Sequence, residues 1–255
     1  MPIIQSIDRA LRILDLFDER QQELKISEIS AQLSLNKSTI HSLLKTLKQH
    51  DYIKQDLDTG KYSLGLKLVE RGNYVLHSLD IRNVAKQPLT KLSDTTGQTV
   101  HLVILDGNAG VYIDKVEGAA SIVFSRIGRR VPIHSSAVGK VLTAFKKETE
   151  LQAIVKEYDF FKQTVHTITS KEAFLQELKA VVKVGYAMDQ EENEPGVCCI
   201  AVPIFDHKGD TSAAISISTT ISNVTEEYKT STIKQLKETA LEISNKLGYT
   251  SSFYS

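Results

Sequence analysis

The stretch NKSTIHSLLKTLKQHDYIKQDLDTGKYSLG, residues 36–65, changes its period partway along. Ile40, Leu43, Leu44 and Leu47 recur at i, i+3, i+4 and i+7, the apolar stripe of an amphipathic helix. From Tyr52 the pattern shortens. Tyr52-Ile53-Lys54-Gln55 and Lys61-Tyr62-Ser63-Leu64 read as two short strands, with turn chemistry at Asp58-Thr59-Gly60 between them. Upstream, KISEISAQLSLN reads as a short helix capped by Ser27, with Ile29 and Leu33 inward. Ser34-Leu35-Asn36 is then a brief turn in which Asn36 caps the next helix. Two short helices joined by a tight turn and followed at once by a hairpin restrict this part of the chain to a winged helix-turn-helix. A further helix precedes them in SIDRALRILDLF, capped by Ser6. Its Ile7, Ala10, Leu11, Leu14 and Phe17 are expected on one inward face.

The polar face of the 37–50 helix decides what such a unit does. An ordinary solvated face favours Glu/Lys pairs. This one carries Ser38, His41, Ser42, Lys45 and Lys48. A helix entering the major groove needs short donors near its start for base edges and cations beside them for phosphates. The expected DNA contacts are therefore Lys37, Ser38, Thr39, His41, Ser42 and Lys45, with Lys61 from the wing. Between Lys37 and Lys67 there are six lysines and three aspartates, although the whole chain balances at 31 basic and 31 acidic residues. So modest a local excess fits an oligomer that doubles its contacts better than a tightly binding monomer.

The remaining sequence is mixed. A helical stretch from Leu66 is interrupted by Pro88, where a kink or a new helix is expected, and it closes at Gly97. Strand-like runs follow at 99–105, 110–116, 121–126, 186–189, 199–205 and 212–218. Helical runs lie at 138–145, 148–158, 171–184 and 223–247. IGRRVPIHSSAVGK reads as a loop leading into the first of these helices. Hairpin-type connections indicate a largely antiparallel sheet. The two cysteines, Cys198 and Cys199, are adjacent and poorly placed to bridge each other, which suits a reducing, cytoplasmic setting. No apolar run approaches the roughly 20 residues of a membrane helix, and the start of the chain does not resemble a signal peptide.

Three kinds of chemistry are conceivable in this second part. Cys198 or Cys199 with His134 suggests a thiol and a base, but no orienting third residue or oxyanion motif accompanies them. His101, His134, Asp189 and Cys199 lack close metal-ligand spacing. HSSAVGK, in contrast, is a run of small residues opening a helix, capped by Ser135 or Ser136, and free amides at a helix start favour an anion. Period-2 spacing places Ser216 and Ser218 of AISIS on one strand face.

Taken together, SIDRALRILDLF, ISEISAQLSLNKSTIHSLLKTLKQHDYI and GKYSLGLKLVERG resemble the N-terminal winged helix-turn-helix of IclR-type bacterial transcription regulators. IGRRVPIHSSAVGKVLTA and VKVGYAMDQEENEPGVCCIAVPIFDHKGDTSAAISIS resemble the pocket entrance and the terminal signature of the same family. The resemblance spans nearly the whole chain in order. It implies an α+β protein with a winged helix-turn-helix at 1–65, a linker helix at 66–82, and a GAF-like effector-binding domain at 83–255 whose antiparallel sheet is flanked by helices. It implies a ligand-responsive DNA-binding regulator, a repressor of metabolic genes controlled by a small organic acid, with no cofactor. The partners expected are a double-stranded operator, the effector and further copies in a homodimer or homotetramer. The effector residues carried over are the amides of Ala137 and Val138, Asp189, Cys199, Ser216 and Ser218. The Ala137-Val138 pair is bulkier than some relatives carry there, so ligand identity does not transfer. The alternative reading is a winged-helix protein with a catalytic C-terminal domain.

Overall fold

The computed structural model describes residues 3–18, 21–78, 81–119 and 125–250, apart from the side chains of 72, 73 and 75–78. The chain divides into two compact units, Met1–Leu79 and Asp80–Ser255.

In the first unit, helices α1 (Gln5–Leu14), α2 (Ile26–Leu33) and α3 (Lys37–Gln49) precede a two-stranded hairpin, β1 (Ile53–Gln55) and β2 (Tyr62–Leu64), and then α4 (Lys67–Ser78). One core joins the first three helices and the hairpin: Ile13, Phe17, Leu24, Ile29, Leu33, Ile40, Leu44, Ile53 and Tyr62 are buried together, with Leu43 and Leu47 half-buried at its edge. The tight turn between α2 and α3 is made by Ser34 in the left-handed region (φ 54°). The Ser30 hydroxyl fastens it by donating to the Leu35 carbonyl at 2.6 Å. In the hairpin, Ile53 faces Leu64 and Gln55 faces Tyr62, and Asp56 Oδ1 accepts the amides of Asp58 and Thr59 to shape the turn. Gly65 follows β2 where the chain passes under the first residues of the wing. A Cβ there would sit 2.0 Å from the Asp51 carbonyl oxygen, so any other residue forces the backbones apart.

Several expected caps are corrected. Neither Ser6 nor Ser27 caps a helix: α1 starts after Ile4, and α2 starts after Lys25, whose amide donates to Glu28 Oε2 at 2.6 Å. Asn36 holds the cap position of α3 with no side-chain bond. The inward face of α1 also differs. Ile13 and Phe17 are buried, whereas Ile7 and Leu11 are more than half exposed. The helix carries two apolar stripes, and periodicity alone did not show which one packs.

In the second unit, α5 (Ile81–Thr96) continues through Pro88, which is buried inside the helix and neither ends nor begins it. Among the described residues, six strands form one antiparallel sheet in the order β5-β4-β3-β8-β7-β6. They are β3 (Thr99–Asp106), β4 (Ala109–Val116), β5 (Arg130–Pro132), β6 (Ala187–Gln190), β7 (Val197–Phe205) and β8 (Thr211–Thr220). Helices α5 and α9 (Glu226–Lys246) pack against the sheet and each other. Helices α6 (Ala137–Ala144) and α8 (Lys171–Val184) form a second packed pair, with α6 on the strands. Helix α7 (Glu148–Val155) joins Phe174 and Leu178 of α8 in a separate apolar cluster through Leu151 and Val155. The segment expected to be a simple loop at 127–140 contains β5, an edge strand that pairs Arg130 with Val111. The strand expected at 121–126 lies outside the described residues at 121–124, and Ser125 and Arg126 are in irregular backbone.

Candidate functional site

The exposed face of α3 is the first candidate surface. Packing Ile40 and Leu44 into the core turns Lys37, Ser38, His41, Ser42, Lys45 and Lys48 to solvent and leaves Thr39 half-buried. The Ser42 hydroxyl donates to the Ser38 carbonyl at 3.1 Å. That leaves its lone pairs outward, so Ser42 presents an acceptor unless the bond is exchanged. Lys48 Nζ donates to Gln55 Oε1 at 3.2 Å and so ties the end of α3 to the wing. Lys61, the wing cation, lies 3.5 Å from Glu23, which offsets its charge.

The second candidate is a cavity in the second unit. Sheet register explains why it is polar. Residues directly opposite on neighbouring strands share a face. Asp189 pairs with Cys199, Cys199 with Ser218 and Ser218 with Thr99. One step along, Ala187, Ala201, Ser216 and His101 form the next row. Further along this face, Ala187, Ala201, Val103 and Ala214 pack with Ala137, Val138, Val141 and Leu142 of α6 in one apolar cluster. The sheet face is therefore apolar beneath the body of α6 and polar beyond its start.

His101, Tyr112, Ser125, Arg129, Val131, Asp189, Asn193, Glu194, Val197, Cys199 and Ser218 line the cavity. Three of the expected effector residues are among them: Asp189, Cys199 and Ser218. Ser218 Oγ and Cys199 Sγ are 3.1 Å apart. Ser216, Ala137 and Val138 are buried but do not line the cavity. The two α6 residues place their side chains in the apolar cluster, so any contact with an anion could come only from their amides at the start of the helix. Ser136 caps that start, accepting the Gly139 amide at 3.1 Å and donating to the Pro132 carbonyl at 2.5 Å. Gly139 is required by this tight junction: a Cβ would lie 2.5 Å from Ile133 Cα.

A loop at 191–196 borders the cavity. Asp189 Oδ1 accepts the amides of Glu192 and Asn193 at 2.8 and 3.2 Å. Asn193 Oδ1 accepts from Ser135 Oγ and Gln163 Nε2 at 3.3 and 3.1 Å. Glu194 meets Arg129 at 2.9 Å. Burial raises the Asp189 carboxyl to about 7, against the opposing pull of those two amides. Nothing in the sequence marks Tyr112, Ser125, Arg129, Val131, Asn193, Glu194 or Val197 for this site, and His101 is suggested there only as a metal ligand. Arg129 and Glu194 sit within the quoted family segments, but nothing local marks them as partners 65 positions apart.

The chemistry of a thiol enzyme is not assembled here. Burial pushes Cys198 up to about 12 and Cys199 higher still, so both stay thiols. His134 spends both ring nitrogens elsewhere. Its Nε2 lies 3.0 Å from the Phe161 carbonyl, which only accepts, so Nε2 carries the proton and Nδ1 accepts from the Tyr158 hydroxyl at 2.8 Å. Among the described residues, no group of three or more His, Cys, Asp or Glu is placed to hold a metal ion. No described helix is long and apolar enough to cross a membrane.

Comparison with known proteins agrees with this two-part arrangement. Residues 6–57 match the IclR helix-turn-helix domain, and residues 73–245 match the bacterial transcriptional regulator IclR C-terminal domain. The chain is 52% identical over 250 residues to the HTH-type transcriptional regulator XynR of Escherichia coli K12, covering 98% of this chain and 99% of that protein. It is 39% identical to the IclR protein of Thermotoga maritima, covering 97% and 100% of the two chains with a TM-score of 0.65. The repressor BlcR of Agrobacterium tumefaciens superposes with a TM-score of 0.83 at 28% identity, covering 96% and 98%. With a helix-turn-helix whose polar face is exposed, a six-stranded sheet behind it in sequence, and both family domains matched in order, this chain belongs to the IclR family of DNA-binding transcriptional regulators.

Proposed function

We propose that the protein is a ligand-responsive repressor that binds a palindromic operator through α3 and the wing and is controlled by a small carboxylic acid. In this reading residues 1–65 bind DNA, 66–82 connect, and 83–255 sense the effector. The observation that carries it is the convergence of Asp189, Cys199 and Ser218 on one cavity in a unit distinct from the one that holds α3. A carboxylate would take the amides at the start of α6 and the nearby hydroxyls. Asp189 then requires a donor on the ligand, a hydroxyl or an amine, because two carboxylates in contact repel. The naming of one relative as a repressor supports that sign of regulation.

Assembly belongs to the same proposal. One winged helix covers little DNA, and half-sites are read in pairs. Ile3, Ile4, Ile7 and Leu11 of the α1 region and Leu66 and Val69 at the start of α4 are all more than half exposed. We take these as surfaces for a second copy in a homodimer or homotetramer. Of the other apolar connector positions, Leu68 is half-buried, while Val75, Leu76 and Leu79 lie outside the described residues or side chains.

The test is a gel shift of the full chain on genomic fragments flanking its own gene, repeated with a panel of central-metabolic acids. Specific, salt-sensitive binding released by one acid is expected. Release should be lost in a Ser216→Ala, Ser218→Ala double variant that still binds the fragment. Binding that no acid alters, with no acid raising the melting temperature either, would defeat the effector reading.

A further inference from the structure

His101 is the third residue of β3, opposite Ser216 on one side and Lys115 on the other, and its ring lines the cavity. The residue is only 2% exposed. Its Nε2 lies 2.6 Å from Ser125 Oγ, and the Tyr112 ring packs against it at 5.2 Å. Its other nitrogen, Nδ1, is buried with no hydrogen-bond partner. Buried polar atoms are nearly always paired, and an unpaired one on the wall of a cavity lined by polar side chains calls for a partner atom inside it.

We propose that His101 Nδ1 is a further effector-contacting atom, that it recognises a hydroxyl group of the ligand, and that Ser125 holds the ring in place for it. This rests on the effector reading above and narrows it to hydroxylated carboxylates. The chemistry favours a hydroxyl over the carboxylate itself. Burial, aided by the nearby Lys115 ammonium, lowers the imidazole to about 3, so the ring is neutral at physiological pH and attracts no anion. Lys115 is held beside Ser125 by a bond of 3.2 Å to its carbonyl and faces Glu117 at 3.1 Å. A neutral imidazole has one N–H and one lone pair, and the Ser125 hydroxyl accommodates either tautomer. Only a group that both donates and accepts can meet Nδ1 in both cases, and a hydroxyl does so. Asp189, whose carboxyl also needs a donor, lies on the same sheet face, separated from β3 by the two strands β8 and β7. The two residues would thus read hydroxyls at different points along one ligand.

The test uses matched acids that differ only in hydroxyls: malate against succinate, glycerate against propionate, and gluconate against hexanoate. Affinities for the full-length chain are measured by calorimetry, with thermal melts to verify folding. The variants exploit side-chain geometry. Asparagine keeps a polar atom near the position of Nδ1, whereas glutamine keeps one near Nε2. In the native chain at least one hydroxylated acid should bind about tenfold or more tighter than its partner, the scale of one buried hydrogen bond. H101Q should reduce that ratio towards one while leaving the affinity for the plain acid unchanged, and H101N should retain most of it. If H101Q does not fold, Ser125→Ala takes its place, with the same loss of preference expected from a ring no longer anchored. A hydroxyl preference unchanged in the folded variant, while Ser218→Ala weakens both members of a pair, would overturn the role of His101 and leave the cavity as the effector site. A native chain that binds no acid of the panel would overturn both.

Discussion

Lys140 Nζ lies 2.6 Å from Glu192 Oε1, and the lysine is 1% exposed. The same ammonium donates to the Met188 carbonyl at 2.9 Å and reaches Glu177 of α8 at 3.3 Å. One side chain of α6 therefore fastens a second helix, strand β6 and the loop that borders the cavity. The loop is also held from outside, where Thr164 and Thr167 donate to the carbonyls of Glu191 and Glu192 at 2.6 and 2.7 Å.

Removing Lys140 strands a buried carboxylate. Lys140→Ala is expected to lower stability by about 3–5 kcal/mol, the usual cost of breaking one partner of a buried pair. Lys140→Met with Glu192→Gln, which removes both charges, should recover a large part of that loss. Urea denaturation of the variants checks both. A single-variant loss below about 1 kcal/mol, the surface-pair range, would show that solvent reaches the pair.

Asp189 should make stability depend on pH in an unusual direction. Its carboxyl titrates near 7 in the folded chain and near 4 when unfolded. Between those values the folded state holds the extra proton, so stability falls as pH rises through this window and is lowest above 7. Asp189→Asn should flatten that slope, as read by melting temperature between pH 4 and 8. An effector hydroxyl donating to the carboxylate stabilises its charged form, so effector binding should tighten as pH rises towards 7, with proton release measurable by calorimetry in two buffers.

The polar face of α3 should carry operator specificity. His41→Ala or Ser42→Ala is expected to weaken operator binding by about 1–3 kcal/mol if a base contact is lost, with the melt of the first unit preserved because both side chains are exposed. Lys45→Ala should weaken all DNA sequences about equally and reduce the salt slope by roughly one. Gel shifts across salt concentrations separate the two effects. Unchanged affinity in all three variants would remove α3 from the groove.

The exposed stripe of α1 gives a test of assembly. Ile7→Glu with Leu11→Glu places charge on positions that are 54% and 56% exposed. If the stripe meets a second copy, light scattering should show a smaller species and the operator affinity should fall. A native chain that is monomeric at micromolar concentration with full operator affinity would exclude the proposed assembly.

Much of this architecture was legible locally. Ile40 and Leu44 announced the inward face of α3, and hence its outward one, because helix geometry converts sequence spacing directly into direction. The same geometry failed on α1. There the sequence holds two apolar stripes, and only packing against α2 and α3 selected Ile13 and Phe17 for the core. Proline removes one intrahelical bond, which predicts an interruption at Pro88, yet α5 runs on through it with Ala85, Leu89 and Leu92 buried around it.

The cavity divides in the same way. The pairing of Ser218 with Cys199, and of Cys199 with Asp189, follows from strand register, which the alternating pattern of AISIS announced only on its own strand. The shared face of Ser216 and Ser218 was legible in the sequence, but only Ser218 borders the cavity; where the body of α6 lies over the sheet is a tertiary fact. Arg129 meeting Glu194, Lys140 meeting Glu192, and the unpaired nitrogen of His101 are relations between residues far apart in the chain. Local spacing encodes which way a side chain points on its own element. It carries no record of which distant charge will share its low-dielectric surroundings, and that is what gives these groups their chemistry.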